Sequence, residues 1–215
     1  MTDIAPTREK ILTDDAFVLE ETKKIQYLFG LKHEIRYGLD RTAHDFTESV
    51  AEHVYAMHIV SDYFLPLEKG AADLNISEIR QMITWHDIDE LETGDTISWK
   101  KTPEQIANEK TAWQAVIPKL PTHISQVVSA VVSNYETRTT AEAKFVKAID
   151  KVEPIFHLYT PNGKRWCEEV GMTRHNADRV KLPFVKEFPL IERFIMVVHD
   201  QMEKEGFFVD ESATL

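Results

Sequence analysis

The segment Trp85-His86-Asp87-Ile88-Asp89-Glu90-Leu91-Glu92-Thr93-Gly94-Asp95 joins a histidine–aspartate pair to several carboxylates and ends in Gly-Asp. It follows an apolar stripe at helical spacing, formed by Ile79, Met82 and Ile83. The pattern predicts one helix that continues through the pair, with His86, Asp87 and Glu90 on its buried side. Because buried charge is costly unless it is paired or coordinates a metal, the segment predicts half of a metal site.

Helical periodicity continues along most of the chain. Between Glu48 and Phe64 apolar residues recur at spacings of three, four and seven, and His53 lies on the same face. Further helices are predicted over residues 14–30, 77–90, 102–117, 123–135, from 140 onward, and 190–205. Residues 162–186 are ambiguous, and no stretch shows convincing strand alternation. The predicted fold class is therefore all-α.

Length and composition indicate the domain organisation and exclude several classes of partner. The 215 residues fit one domain, which we place at 13–209 between flexible ends at 1–12 and 210–215. The net charge of −11 argues against nucleic acid polymers and anionic membranes. The single cysteine, Cys167, and the lack of a leader-like N-terminus lead us to expect a cytoplasmic protein.

Ionisable residues on apolar faces of three predicted helices form a candidate metal site. They are two histidines and two aspartates: His53, His86, Asp87 and Asp150. Imidazole together with carboxylate suits a divalent ion, and helical bundles build such sites in their cores. The ion itself stays open among Co, Mn, Zn, Fe, Ni and Mg.

Three further residues have the chemistry that metal-assisted hydrolysis of a phosphate ester requires. Glu90 follows His86 by four positions, so on a helix it stands on the same face as a general base or acid. Asp95, just beyond the helix, is a candidate to orient the attacking water or protonate the leaving oxygen, with a helix-exit or turn residue as the alternative. Arg36 is a candidate phosphate ligand, with a surface ion pair as the alternative.

Two other carboxylates, Glu153 and Asp200, are not assigned a catalytic or metal-binding role. Glu153 follows Asp150 by three residues, and we interpret it as a neighbour of the metal site or a solvated carboxylate rather than a ligand. The pair His199-Asp200 is not followed by a Gly-Asp end like that of the His86 segment, so we predict a surface or structural role.

Several separated blocks carry a resemblance to a known family. They are Glu48-Ser49-Val50-Ala51-Glu52-His53, His86-Asp87-x-x-Glu90-x-x-x-Gly94-Asp95, Tyr135-Glu136-Thr137, Ala141-Glu142-Ala143-Lys144-Phe145-Val146-Lys147-x-x-Asp150-Lys151, and Leu31-Lys32 with Arg36-x-Gly38. The H…HD…D order resembles HD-domain phosphohydrolases. The blocks are most similar to the 5'-deoxynucleotidase (HD-domain-containing protein 2-like) subfamily.

The resemblance implies a helical bundle with a divalent metal in its core, often as a homodimer. It implies hydrolysis of (deoxy)nucleoside 5'-monophosphates to nucleoside and phosphate by a metal-activated water. The implied ligands are His53, His86, Asp87 and Asp150, with Glu90 and Asp95 as catalytic carboxylates and Arg36 as the substrate contact.

Two alternatives remain beside that function. One is a different HD phosphohydrolase acting on cyclic nucleotides or (p)ppGpp, and the other is a catalytically silent HD protein that binds metal or nucleotide. A departure from the family bears on the substrate, because a tryptophan is usual near Arg36 and this chain has Tyr37 and Leu39 there.

Overall fold

A computed structural model describes residues 5–28, 49–71, 73–93, 97–120 and 122–210. These ranges contain α-helices and short 3₁₀ turns and no strand, which confirms the all-α class. The helices are α1 (Ala5–Thr13), α2 (Asp15–Leu28), α3 (Val50–Phe64), α4 (Ile76–Trp85), α5 (Glu90–Thr93), α6 (Pro103–Val116), α7 (Thr122–Thr137), α8 (Ala141–Leu158), α9 (Pro161–Val170), α10 (Arg174–Lys181) and α11 (Pro189–Lys204). None of the described helices is long and apolar enough to span a membrane.

The helices belong to two compact units. The first contains the described residues up to 71 together with 148–210, and the second contains those between 73 and 147. The chain passes from the second unit back to the first within α8. The single domain expected over residues 13–209 stays a prediction.

The first unit is built on α11. Its fully buried face includes Leu190, Ile191, Phe194 and Val198, and α1 and α2 pack against this helix. The rings of Phe64 and Phe194 meet edge to face with centroids 5.0 Å apart. Burying such rings supplies much of the apolar stabilisation of a small helical core. In the second unit, α4 packs on α7 and α5 on α6.

Local sequence signals explain where α3 and α6 begin. Ser49 caps α3: its side chain accepts a hydrogen bond from the backbone N–H of Glu52, whose carboxylate accepts from the N–H of Ser49. Thr102 and Gln105 form the same reciprocal arrangement at the start of α6, as predicted. Each arrangement satisfies two backbone donors that a helix start would leave unpaired.

The structure differs from the sequence prediction at the N-terminus. Residues 1–12 were expected to be flexible, whereas residues 5–13 form α1 and Ile11 is fully buried. One buried apolar residue gives no periodic stripe, so the sequence carried no signal for this helix. The ambiguous stretch 162–186 holds α9 and α10, separated at Gly171, whose positive φ of 69° ends α9 in the left-handed conformation.

The helix predicted through Glu90 is shorter than expected. Asn75, not Ser77, caps α4, and the helix ends at Trp85, so His86 and Asp87 lie in a turn. Beyond the helix, backbone hydrogen bonds span three residues instead of four. The N–H of Ile88 donates to the carbonyl of Trp85, and the N–H of Glu90 donates to the carbonyl of Asp87. The prediction that His86 and Glu90 lie on one face of the same helix was therefore wrong.

We predict that Glu68 stabilises the first unit by capping α11. This carboxylate is 1 % exposed, and its Oε1 accepts from the backbone N–H groups of Leu190 and Ile191 at 2.8 and 2.9 Å. Glu68→Ala leaves both buried donors unpaired and should lower the free energy of unfolding by about 2–4 kcal/mol. Urea unfolding measures the change. The exposed Glu169→Ala is the control, and equal stability of both variants would contradict the prediction.

Candidate metal centre

His53 on α3 is held between two carboxylates of α8. Its Nδ1 lies 2.9 Å from Oε2 of Glu153, and its Nε2 lies 3.6 Å from Oδ1 of Asp150. A carboxylate oxygen only accepts hydrogen bonds, so Nδ1 carries the proton and donates to Glu153. The lone pair on Nε2 is then directed toward Asp150.

Two lysines flank these carboxylates in the first unit. Lys151 Nζ lies 3.0 Å from Oδ2 of Asp150, and the buried Lys181 donates from Nζ to the backbone carbonyl of Lys151 at 3.2 Å. Burial lowers the pKa of Lys181 to about 8, while Asp150 and Glu153 act in the opposite direction. The two lysines therefore offset part of the negative charge of Asp150 and Glu153.

The balance of charges around His53 favours a bound cation. Burial by itself lowers the pKa of His53, but the charges of Glu153 and Asp150 and their hydrogen bonds raise that pKa well above its ordinary value. The same negative potential that favours a proton on the ring also favours a metal ion at Nε2.

His86 shows a parallel arrangement in the second unit. It is 2 % exposed, and its Nδ1 donates to the backbone carbonyl of Ile83 at 3.0 Å. Its Nε2 lies 3.0 Å from Oδ2 of Asp87, the next residue in the chain. The turn that follows α4 therefore places the imidazole and the carboxylate side by side, although neither is on the predicted helix.

Residues of α7 and α8 surround His86 in the same unit. The ring of Tyr135 meets the imidazole edge-on with centroids 5.2 Å apart, and Lys147 donates to the Tyr135 hydroxyl at 3.0 Å. Burial raises the pKa of the neighbouring Glu136, with Asp87 adding to that effect and Lys147 opposing it. Tyr135, Glu136 and Lys147 stand in the sequence blocks that carry the family resemblance, but no role was predicted for them.

Both histidines thus direct Nε2 at a carboxylate while Nδ1 is fixed by another acceptor. A lone pair facing a carboxylate oxygen is unfavourable unless a proton or a metal ion lies between them. Nitrogen and oxygen ligands at about 2.0–2.2 Å from one ion are about 3.0–3.5 Å apart. The separations of 3.0 Å at His86 and 3.6 Å at His53 are close to this range, so the residues present fit a divalent ion.

The other predicted site residues have mixed outcomes. Glu90 begins α5, is half-buried, and its backbone N–H donates to the carbonyl of Asp87 at 3.1 Å. Arg36 and Asp95 lie outside the described residues. Glu153 is fully buried and bonded to His53, which excludes the solvated alternative.

The pair His199-Asp200 has a structural role, as predicted. His199 is buried on α11, with Nδ1 2.7 Å from Oδ1 of Asp178. Arg174 joins Asp178 and Asp200 through hydrogen bonds of 2.8 and 2.9 Å. This network ties α10 to α11 within the first unit.

Comparison with known proteins gives three findings. A sequence model of the HD domain matches residues 29–192. The chain is 30% identical over 110 residues to the 5'-deoxynucleotidase HDDC2 of Bos taurus, and 29% identical over the same length to that of Homo sapiens. These matches cover 50% of this chain and 51% and 52% of the relatives, so the chain spans about half the length of the curated relatives it matches.

A solved structure has a similar fold. It is a predicted metal-dependent phosphohydrolase from Magnetospirillum magnetotacticum MS-1, with a TM-score of 0.65 and 21% sequence identity. The similarity covers 88% of this chain and 99% of that one.

We predict that metal affinity rises with pH above the ordinary histidine range. The raised pKa of His53 means that the ring is protonated below that pKa, and a metal must then displace the proton from Nε2. Affinity should fall about tenfold for each pH unit below the pKa of His53. Calorimetric titration with Zn²⁺ in buffers of different ionisation enthalpy counts the protons released. Binding without proton release at pH 7 would contradict this.

Proposed function

The chain belongs to the HD-domain family, and on this premise we propose that it is a divalent-metal-dependent phosphohydrolase. We propose further that it hydrolyses (deoxy)nucleoside 5'-monophosphates to nucleoside and phosphate. The observation that carries the proposal is the repeated arrangement in which a histidine Nε2 faces an aspartate while Nδ1 is fixed. The similarity to 5'-deoxynucleotidases supports the substrate class.

We propose that His53, His86, Asp87 and Asp150 together bind one divalent ion. Each histidine offers Nε2, because its Nδ1 donates a hydrogen bond elsewhere. Each aspartate lies beside one of these nitrogens. Two imidazoles and two carboxylates suit a transition metal, and the choice among Co, Mn, Zn, Fe, Ni and Mg is left to experiment.

The ion, when bound, would lower the pKa of a coordinated water and screen a phosphate oxygen. In the proposed reaction the water oxygen attacks phosphorus and the bond from phosphorus to the 5' oxygen breaks. Glu90 accepts the proton of the attacking water, and Asp95 donates a proton to the leaving 5' oxygen. Arg36 binds the phosphate through its guanidinium fork, whose positive charge attracts an anionic substrate to a chain of net charge −11.

We predict phosphate release from nucleoside 5'-monophosphates only when a divalent metal is added. Asp87→Ala removes a proposed ligand and should reduce release to the background rate. Asp200→Ala is the matched control, since it changes the aspartate of the structural histidine–aspartate pair, and it should retain activity. A colorimetric phosphate assay with Mn²⁺, Co²⁺ and Zn²⁺, scoring ribo against 2'-deoxy substrates, makes the measurement.

The same assay separates the alternatives. Full activity in Asp87→Ala would overturn the metal-dependent mechanism. Hydrolysis of cyclic nucleotides or (p)ppGpp, with monophosphates left intact, would replace the proposed substrate by another phosphate ester. Metal binding with no turnover on any phosphate ester would favour a silent binding protein. The expected homodimer and cytoplasmic location stay predictions from the sequence.

A further inference from the structure

We propose that Glu153 is a positioning residue that selects Nε2 of His53 as a metal ligand. Its carboxylate accepts the Nδ1–H of His53, which fixes both the tautomer and the orientation of the ring. The inference rests on the proposed metal site and goes beyond it, because Glu153 is not one of the four ligands.

The burial of Glu153 is the first argument. The residue is 0 % exposed, and a fully buried carboxylate is costly unless it is hydrogen-bonded to a partner that stabilises it. Within its unit, Oε2 of Glu153 lies 2.9 Å from Nδ1 of His53. Metal-bound histidines commonly donate their other ring N–H to a carboxylate, which orients the ring and raises the basicity of the ligand nitrogen.

The position of Glu153 on α8 is the second argument. It follows Asp150 by three residues, so both side chains lie on one face of the helix. One oxygen of each carboxylate reaches a different nitrogen of the same ring: Glu153 reaches Nδ1 and Asp150 faces Nε2. A single helix face therefore supplies a proposed ligand and the group that orients a second ligand.

A purely structural hydrogen bond is the competing explanation, and the chain contains an internal comparison. His199 Nδ1 is likewise bonded to a carboxylate, that of Asp178, at 2.7 Å. There the carboxylate is shared with Arg174 and belongs to the network between α10 and α11. At His53 a second carboxylate faces the opposite ring nitrogen. Of the two histidines, His53 and His199, it is His53 whose surroundings have the form expected of a metal ligand.

The test compares Zn²⁺ affinity in Glu153→Gln and in the control Asp178→Asn. Both substitutions remove the charge of a carboxylate that is hydrogen-bonded to Nδ1 of a histidine. Glu153→Gln should weaken Zn²⁺ binding about 10–100-fold, whereas Asp178→Asn should bind like the wild type. Glu153→Asp, which restores the charge on a shorter side chain, should recover part of the loss. Calorimetric titration gives the affinities, and circular dichroism of the metal-free variants monitors folding.

Nitrogen NMR of the Zn²⁺-loaded wild type provides a measurement that needs no variant. The inference predicts that His53 carries its proton on Nδ1 and binds Zn²⁺ through Nε2. Binding through Nδ1, or unchanged affinity in a folded Glu153→Gln, would overturn it. If Glu153→Gln does not fold, the NMR result alone decides.

Failure of the metal site itself gives a different result. A wild type that binds no Zn²⁺, or a His53→Ala variant that binds Zn²⁺ as the wild type does, would remove the metal site and this inference together. Loss of binding in His53→Ala with unchanged affinity in Glu153→Gln would remove only the role of Glu153.

Discussion

The hydrogen bond at Nδ1 of each proposed histidine ligand, the half-buried His53 and the buried His86, is the constraint on which the proposed site depends. At His86 the acceptor is the backbone carbonyl of Ile83, and at His53 it is the carboxylate of Glu153. Once Nδ1 is fixed as a donor, Nε2 is the only ring nitrogen that can bind a metal. Each Nε2 lies beside an aspartate oxygen, so each histidine and its aspartate present one nitrogen and one oxygen atom that can bind a metal ion.

The acceptor at His86 is neutral and the acceptor at His53 carries a negative charge, so the two histidines have different electrostatic surroundings. A backbone carbonyl orients His86 without adding a formal charge, whereas Glu153 adds a buried negative charge beside His53. The charge of Glu153 acts on the buried Lys181, and Lys151 lies beside the carboxylate of Asp150 in the same unit. The surroundings of His53 are therefore sensitive to substitutions that alter charge.

Sequence reasoning was reliable where a local signal was strong. The predicted helix starts at residues 102 and 190 lie within one residue of the observed starts of α6 and α11. It failed at α1, where Ile11 is buried through tertiary packing, and at His86, where helical periodicity continued in the sequence beyond the end of the helix. The roles of Glu68 and Glu153 depend on partners more than 95 residues away, and no spacing rule reveals such pairs.

The ligands of one bound ion would show directly whether both histidines bind metal through Nε2 beside their aspartates. Crystals of the chain grown with Zn²⁺ and measured at the zinc absorption edge would locate the ion by anomalous scattering. The account predicts one ion bound by Nε2 of His53, Nε2 of His86, and the carboxylates of Asp87 and Asp150. An ion bound through Nδ1 of either histidine, or only at exposed carboxylates elsewhere, would contradict it.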